Sequence, residues 1–397
     1  MRVLFLSFYY PPDLSAGSFR SRSLVSAMLK CAPPHTEIDL VTSAPNRYAS
    51  YRQEAPLQEQ LPGLKITRIP LPEHRSDMLG QARAFTSFAR GVVRHTAGRH
   101  YDLVFATSSR LLTATLAAHI ARREGALLYL DIRDIFVDTI QDVLPRPLAW
   151  IARAIFAPLE SWTMRRAQRI NLVSRGFEAY FSKRYAGQTT FSWFSNGIDE
   201  EFLAAAPAVP EPRQPLGEVL IVYAGNIGKG QALHAIVPGL AARLRGRARF
   251  RIIGDGGAVE LLRSELIDCT NVELHTPMTR AALLEAYLKA DILFLHLGAE
   301  AAFEKVLPSK IFEYAALGRP LLAGVAGFAA EFISAEISDS AIFRPGDVEG
   351  AVVAFASLQL GTRPRREFIA RYTRANIARE MAQDIFALPR RDGAAAS

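Results

Sequence analysis

The sequence is poor in cysteine, with only Cys31 and Cys269 among 397 residues. Two thiols cannot build the disulfide framework of a small secreted domain, and neither has a partner at Cys-x-x-Cys spacing to hold zinc. A reducing cytoplasm is the expected compartment. Long apolar runs are missing as well. No stretch of ~18 apolar residues occurs, so no segment is expected to span a bilayer. The opening run Met1-Arg-Val-Leu-Phe-Leu-Ser7 is cut short by Tyr9, Pro11, Pro12 and Asp13, and reads as a first strand rather than a secretory leader. Asp-x-Asp, His-Glu-x-x-His and the Walker-type phosphate loop are absent. No metal and no cofactor are therefore expected, and nothing suggests a zinc protease or a P-loop nucleotidase.

What is present is a globular composition, 49% hydrophobic and 22% charged, on a chain long enough for two domains. The charge is one-sided. Residues 1–200 hold 25 Lys+Arg against 17 Asp+Glu, whereas residues 201–397 hold 22 of each. The whole basic excess lies in the first half, which is expected to face an anionic partner, nucleic acid or a membrane surface.

Short β-branched or apolar runs alternate with helical patterns. Residues 3–8, 38–41, 65–69, 103–106, 127–130 and 169–173 read as strands; the rhythm restarts at 219–224, 250–253, 272–274, 292–295 and 320–323. This alternation predicts an α/β protein with parallel sheets covered on both faces, in two doubly wound, Rossmann-like domains. The Ala- and Pro-rich segment 204–217 reads as a linker between an N-terminal domain, 1–203, and a second domain, 218–370. Residues 371–389 read as a C-terminal helix crossing back to the first. Two such domains would face each other across a cleft lined by the carboxyl ends of their strands, where such sheets bind ligands.

Each half carries a glycine-bearing turn after its first strand. The first runs from Tyr9-Tyr-Pro-Pro to Gly17 and Arg20; the second is Tyr223-Ala-Gly225-Asn226-Ile-Gly228-Lys229-Gly230. Glycine lets backbone N–H groups approach a phosphate, a helix N-terminus favours the anion, and Arg20 or Lys229 could neutralise it. The same turns also serve as plain tight turns. Gly254-Asp255-Gly256 follows another strand, either as a turn or as a backbone clamp beside a base or ribose. The richest stretch is Glu304-Lys305-Val-Leu-Pro308-Ser309-Lys310-Ile-Phe-Glu313. Pro308 fits the first turn of a helix, and Glu313 lies one turn beyond Ser309 on the same side. Such a helix offers N–H groups to phosphate and a carboxylate to ribose hydroxyls; alternatively Glu313 is an ordinary ion-paired helix residue. Asp131-Ile-Arg133-Asp134 ends another strand, either to act on a sugar hydroxyl or to cap a helix.

The series Tyr9-Tyr-Pro-Pro, Gly17, Asp131-Ile-Arg-Asp134, Val173-Ser-x-Gly176, Ser195-Asn-Gly-Ile-Asp199, Gly225-Asn-Ile-Gly228, Gly254-Asp-Gly256, Ala290-Asp291 and Pro308-Ser-Lys-x-x-Glu313 resembles the retaining GT-B glycosyltransferases of family 4. The Pro-Ser-Lys-x-x-Glu-Tyr form looks most like the bacterial O-antigen and capsule branch with N-acetylfucosaminyl-type aminosugar transferases. The resemblance implies a nucleotide-diphosphate sugar as donor and transfer with retention. It places Glu313 on the donor ribose, Ser309, Lys310 and Lys229 at the diphosphate and donor sugar, Gly17 beside the pyrophosphate, and Asp134 near the acceptor. Eight positions before Glu313, where the family has a sugar-contacting Glu, stands Lys305, with Glu304 one residue out of register. The family's Asp-x-Trp-Pro becomes Asp134-Ile-Phe136-Val137.

Over 78–95, Leu79, Phe85, Phe88, Ala89, Val92 and Val93 form an apolar arc at ~100° per residue, edged by a stripe of Arg83, Arg90 and Arg94. The stretch 148–169 repeats the theme with Trp150, Ile151 and Ile155. Both read either as helices lying in a lipid headgroup layer or as core helices with solvated arginines. No helix-turn-helix spacing or aromatic-and-basic motif stands out, so nucleic acid is not expected. A polyprenyl-diphosphate-linked acceptor, met peripherally at the inner face of the plasma membrane, suits the charge asymmetry. The rival readings are a catalytically idle assembly subunit and a sugar-nucleotide epimerase of the same architecture.

Overall fold

The computed structural model describes residues 1–46, 54–72, 78–108, 110–137, 146–213 and 217–389. The chain forms two compact units, Met1–Ser195 with Ala375–Ser397, and Asn196–Arg374.

The first unit is built on β1 (Arg2–Ser7), β2 (Glu37–Ser43), β3 (Gln58–Leu61), β4 (Leu64–Ile69), β5 (Leu103–Ser108), β6 (Leu127–Ile132), β7 (Arg169–Leu172) and β8 (Thr190–Ser192). Their order is β3-β4-β2-β1-β5-β6-β7-β8, parallel throughout except for β3 against β4. β5 and β6 are buried along their whole length, as strands covered by helices on both faces must be. The order reverses between β1 and β5, so the ligand-binding position of this sheet lies at their carboxyl ends.

Two helices of this unit carry the proposed membrane faces. On Met78–Thr96 the apolar arc is largely consumed by the fold. Phe88 and Val92 are fully buried, Phe8 packs on the rings of Phe85 and Phe88, and Phe85 and Ala89 are partly covered, whereas Arg83, Arg90, Val93 and Arg94 are exposed. The Leu79 side chain lies outside the described residues. The arc therefore cannot lie in a headgroup layer, because the core already occupies it; the exposed feature is the arginine stripe. On Arg146–Met164 the opposite holds: Leu148, Trp150, Ile151 and Ile155 are more than half exposed, Trp150 by 74%. Among the described residues no helix is long and apolar enough to cross a membrane.

The second unit is built on β10 (Val219–Asn226), β11 (Ala248–Asp255), β12 (Val272–His275), β13 (Ile292–His296), β14 (Leu321–Gly324) and β15 (Ser340–Phe343), all parallel in the order β12-β11-β10-β13-β14-β15. One apolar layer holds Ile198, Phe202, Leu293 and Phe312; the other holds Ile221, Ile236 and Phe250. The switch point falls between β10 and β13.

The boundary differs from the sequence reading. The chain enters the second unit at Asn196, not within 204–217, because Ile198 and Phe202 are fully buried in its core. Part of the expected linker, β9 (Glu211–Pro212), pairs antiparallel with β16 (Gly361–Thr362). The helix Arg374–Phe386 begins where the chain returns to the first unit. There Met381, Ala382, Ile385 and Leu388 pack with Val3, Phe5, Phe105 and Tyr129.

Candidate functional site

In the second unit the loops after β10, β11 and β13 and the helix Lys310–Ala316 meet at the switch point. The helix starts later than expected: Ser309 is its N-cap, without a side-chain cap bond, and Pro308 precedes it. A proline there needs no N–H donor, since the next free amides belong to the helix itself. From this first turn the Lys310 side chain crosses Gly225. Gly225 has φ +142°, so glycine is required there by the backbone, and its missing Cβ, which would lie 2.2 Å from Lys310 Cε, leaves that side chain room to cross. Lys310 Nζ stands 3.1 Å from Tyr223 Oη and 4.5 Å from that ring's centre. Tyr223 spends its own proton on the Asn226 carbonyl, 2.6 Å away, and so accepts from the lysine. Burial pushes the Lys310 ammonium down to about 8, against the pull of Glu313. A half-buried cation hydrogen-bonded to an aromatic hydroxyl is suited to meet an incoming anion.

One turn on, Glu313 is only 9% exposed. Its Oε1 accepts from Arg280 Nη1 at 2.9 Å. Burial raises its carboxyl above the usual range, and Arg280 opposes that rise. Arg280 reaches Asp199 at 2.7 Å and Glu201 at 2.8 Å as well, and Arg374 meets the other Asp199 oxygen at 2.5 Å. Of the two alternatives that its spacing left open, the structure shows Glu313 as an ion-paired helix residue.

The Gly225–Gly230 turn is shaped by its own side chains. Gln231 Oε1 accepts from Asn226 Nδ2 at 2.7 Å and from the Gly228 amide at 3.2 Å. A Cβ on Gly228 would lie 2.5 Å from that Asn226 amide, and one on Gly230 would meet the Phe303 ring at 2.6 Å. Phe303 thereby holds the Phe303–Lys305 turn, with Glu304 and Lys305, beside the exposed Lys229. Gly254 and Gly256 have a packing reason. Their Cβ positions fall 1.8 Å from the Gly225 carbonyl oxygen and 2.5 Å from that of Ile227, so they let β11 close on the β10 loop. His296, at the end of β13, is held neutral, its value pushed by burial to about 4. It donates through Nδ1 to the Gln231 carbonyl and accepts at Nε2 from the Gly346 amide.

In the first unit, Gly17 lies in the first turn of the helix Ala16–Cys31, and a Cβ there would sit 2.2 Å from Arg133 Nη1. Arg133 is the cation beside this glycine. Arg20 is not: it forks onto Asp131 at 2.9 and 3.0 Å and donates to the Ser195 and Phe194 carbonyls. Asp131 is fully buried, and Thr107 and Asn171 complete its shell. Burial alone would raise its carboxyl, yet Arg20 leads a group that holds it below the usual range. The pair is structural, and Arg20 is buried around Asp131 rather than offered to a diphosphate. Asp134, half-buried, receives the following amide of Ile135 at 2.9 Å.

Sequence reasoning missed Tyr223 as a partner of Lys310, and it missed Arg280 altogether. One signal was available for the latter, since an arginine directly after the N-cap Thr279 opposes the helix dipole and needs a reason.

The comparisons with known proteins follow the same division. The family described as "Glycosyl transferase 4-like domain" matches residues 24–197, and "Glycosyl transferases group 1" matches residues 218–359. The probable glycosyltransferase WbjE of Pseudomonas aeruginosa is 21% identical over 250 residues, which span 62% of each protein. The structure of WaaG, a glycosyltransferase involved in lipopolysaccharide biosynthesis, superposes with a TM-score of 0.63 at 15% identity, covering 98% of this chain and 97% of WaaG. Anabaena HepE in complex with UDP-glucose superposes at 0.59 and 14% identity, covering 98% and 96%. Two glycosyltransferase domain families are thus matched in tandem over most of the chain and its structural neighbours share the fold, which together support a glycosyltransferase of the GT-B, family 4 type.

Proposed function

We propose that this glycosyltransferase moves a hexose or aminosugar from a nucleotide-diphosphate sugar to a lipid-linked sugar acceptor, with retention, in the assembly of a bacterial surface polysaccharide. The observation that carries the reading is the Lys310–Gly225–Tyr223 arrangement, a cation laid over a glycine at the switch point one turn from Glu313. Lys310 takes the leaving diphosphate, with Lys229 and the amides after Ser309 in support; Gly225, Asn226, Gly228, Gly254 and Gly256 let backbone approach the nucleotide; Glu313 meets the ribose. Stabilising charge on the departing phosphate is the main demand of a front-face displacement, and the phosphate oxygen then takes the acceptor proton. Gly17 and Asp134 serve the pyrophosphate and the acceptor from the first unit. Lys305 and Glu304 flank the donor sugar in place of the family's first Glu. UDP is the first nucleotide to test, because HepE is solved with it.

The reaction is proposed to need no divalent metal, since lysines take the role a metal would have. A cytoplasmic, peripheral position at an anionic membrane is supported by the arginine stripe and by exposed Trp150, Ile151 and Ile155.

The test is a panel of nucleotide sugars incubated with the protein in EDTA, read by thermal stabilisation and slow hydrolysis. A transferase is stabilised by one donor and releases its sugar slowly. Interconversion of the sugar would instead favour an epimerase, and no stabilisation by any donor would favour an idle subunit. Activity that requires restored Mg²⁺ would overturn the metal-free mechanism alone.

A further inference from the structure

The second unit is joined to the rest of the chain at Asn196 and at Arg374, and these two crossings are tied together. Ile198 donates its amide to the Tyr372 carbonyl at 2.8 Å, and Arg374 donates its amide to the Ile198 carbonyl at 2.9 Å. Gly197 allows the approach: a Cβ there would lie 2.8 Å from Arg374 Cα. Asp199 and Arg374 add an ion pair. The same Asp199 shares Arg280 with Glu313. One guanidinium therefore links the carboxylate assigned to the donor with the paired strands at which the chain changes unit.

The charges in this cluster do not balance: Asp199, Glu201 and Glu313 surround Arg280, with Arg374 as the second cation. A buried carboxylate whose partner is removed loses several kcal/mol, so Glu313 depends on Arg280 for its ionised form and its aim. Arg280 donates to Glu313 through Nη1 and to Asp199 through Nη2, so the two carboxylates share one planar fork. Lysine has its three donors on one nitrogen and lacks the fork that spreads Arg280 over three carboxylates.

We propose that Arg280 is a positioning residue which aims Glu313 at the donor and carries donor occupancy to the paired strands around Ile198 and Arg374. The proposal rests on the reading of Glu313 as a donor contact. UDP or GDP, whichever binds the unmutated full-length protein more tightly, is titrated into four proteins: unmutated, Arg280→Lys, Glu313→Gln and the double variant. Arg280→Lys is expected to weaken binding ~10-fold alone and less than ~2-fold in the Glu313→Gln background, the non-additivity of residues in contact. The nucleotide is also expected to slow hydrogen exchange at the Ile198 and Arg374 amides in the unmutated protein and not in Arg280→Lys. Should Arg280→Lys fail to fold, Asp199→Asn tests the link through the exchange readout, which it should abolish. If Glu313→Gln leaves nucleotide affinity unchanged, the donor-site reading falls and this proposal with it. If Glu313→Gln weakens binding but Arg280→Lys costs the same in both backgrounds, or the exchange response persists in it, only this proposal falls.

Discussion

At the scale of single residues, the nucleotide site turns on Lys310. Burial removes water from the charged form and pushes its amine down to about 8, against the pull of Glu313. The ammonium form meets a diphosphate, so donor affinity should be full below about 8 and fall as pH rises through it, approaching tenfold per pH unit. Lys310→Met should weaken binding by roughly 1.5–3 kcal/mol, the range of a charged hydrogen bond, and flatten that dependence; calorimetric titration between pH 7 and 9.5 checks both. A steep profile persisting in Lys310→Met would assign the titration elsewhere. Much of this site was legible in advance. Gly225, Lys310 and Glu313 stood out because a glycine turn after a strand and a proline before a helix are local signals. Arg280 was not legible, since its three partners come from positions 199, 201 and 313. Arg20 was misread for the same reason: its partner Asp131 is 111 residues away.

Among the elements, the strands of both sheet centres were readable because β-branched runs buried on both faces leave a continuous apolar signature. The short edge strands β3, β8 and β15 were not. An edge strand has one neighbour and a half-exposed face, so Gln58–Leu61 reads as polar loop. The helix Met78–Thr96 shows the limit of periodicity, since an apolar arc beside arginines describes a core helix and a surface-lying one equally well; only the contacts of Phe88 and Val92 decide. The helix Arg374–Phe386 is held to the first sheet by apolar packing and by Asp384, which accepts from Tyr129 Oη and Ser192 Oγ at 2.8 Å each and from Arg169. Asp384→Ala strands three donors around a partly buried position. It should cost about 2–4 kcal/mol, read as a lower urea midpoint, while the nucleotide Kd measured on the folded protein stays within twofold. A midpoint unchanged by the substitution would show that apolar packing alone fixes the helix.

For the whole molecule, the charge asymmetry seen in the sequence gains a surface. The proposed membrane contact has an electrostatic part, the Arg83, Arg90 and Arg94 stripe, and an apolar part at Trp150, Ile151 and Ile155. The two should separate in flotation with vesicles containing anionic lipid. At ~1 kcal/mol per arginine, removing the three charges alone should weaken binding ~100-fold, so reversing all three to Glu should weaken it by at least that at low salt and little at high salt, where charges are screened. Ile151→Ser with Ile155→Ser should weaken it at every ionic strength. Binding indifferent to both sets would remove the membrane from the proposal. The return of the chain to its first sheet has one more outcome, which concerns synthesis. Met381, Ala382, Ile385 and Leu388 belong to the core of β1 and β5, yet they leave the ribosome after the entire second unit. The first unit must wait, its apolar wall open, while the second is made and can fold ahead of it. Nascent chains stalled before residue 375 should therefore protect the second unit from protease sooner than the first, reversing the usual N-to-C order of domain folding.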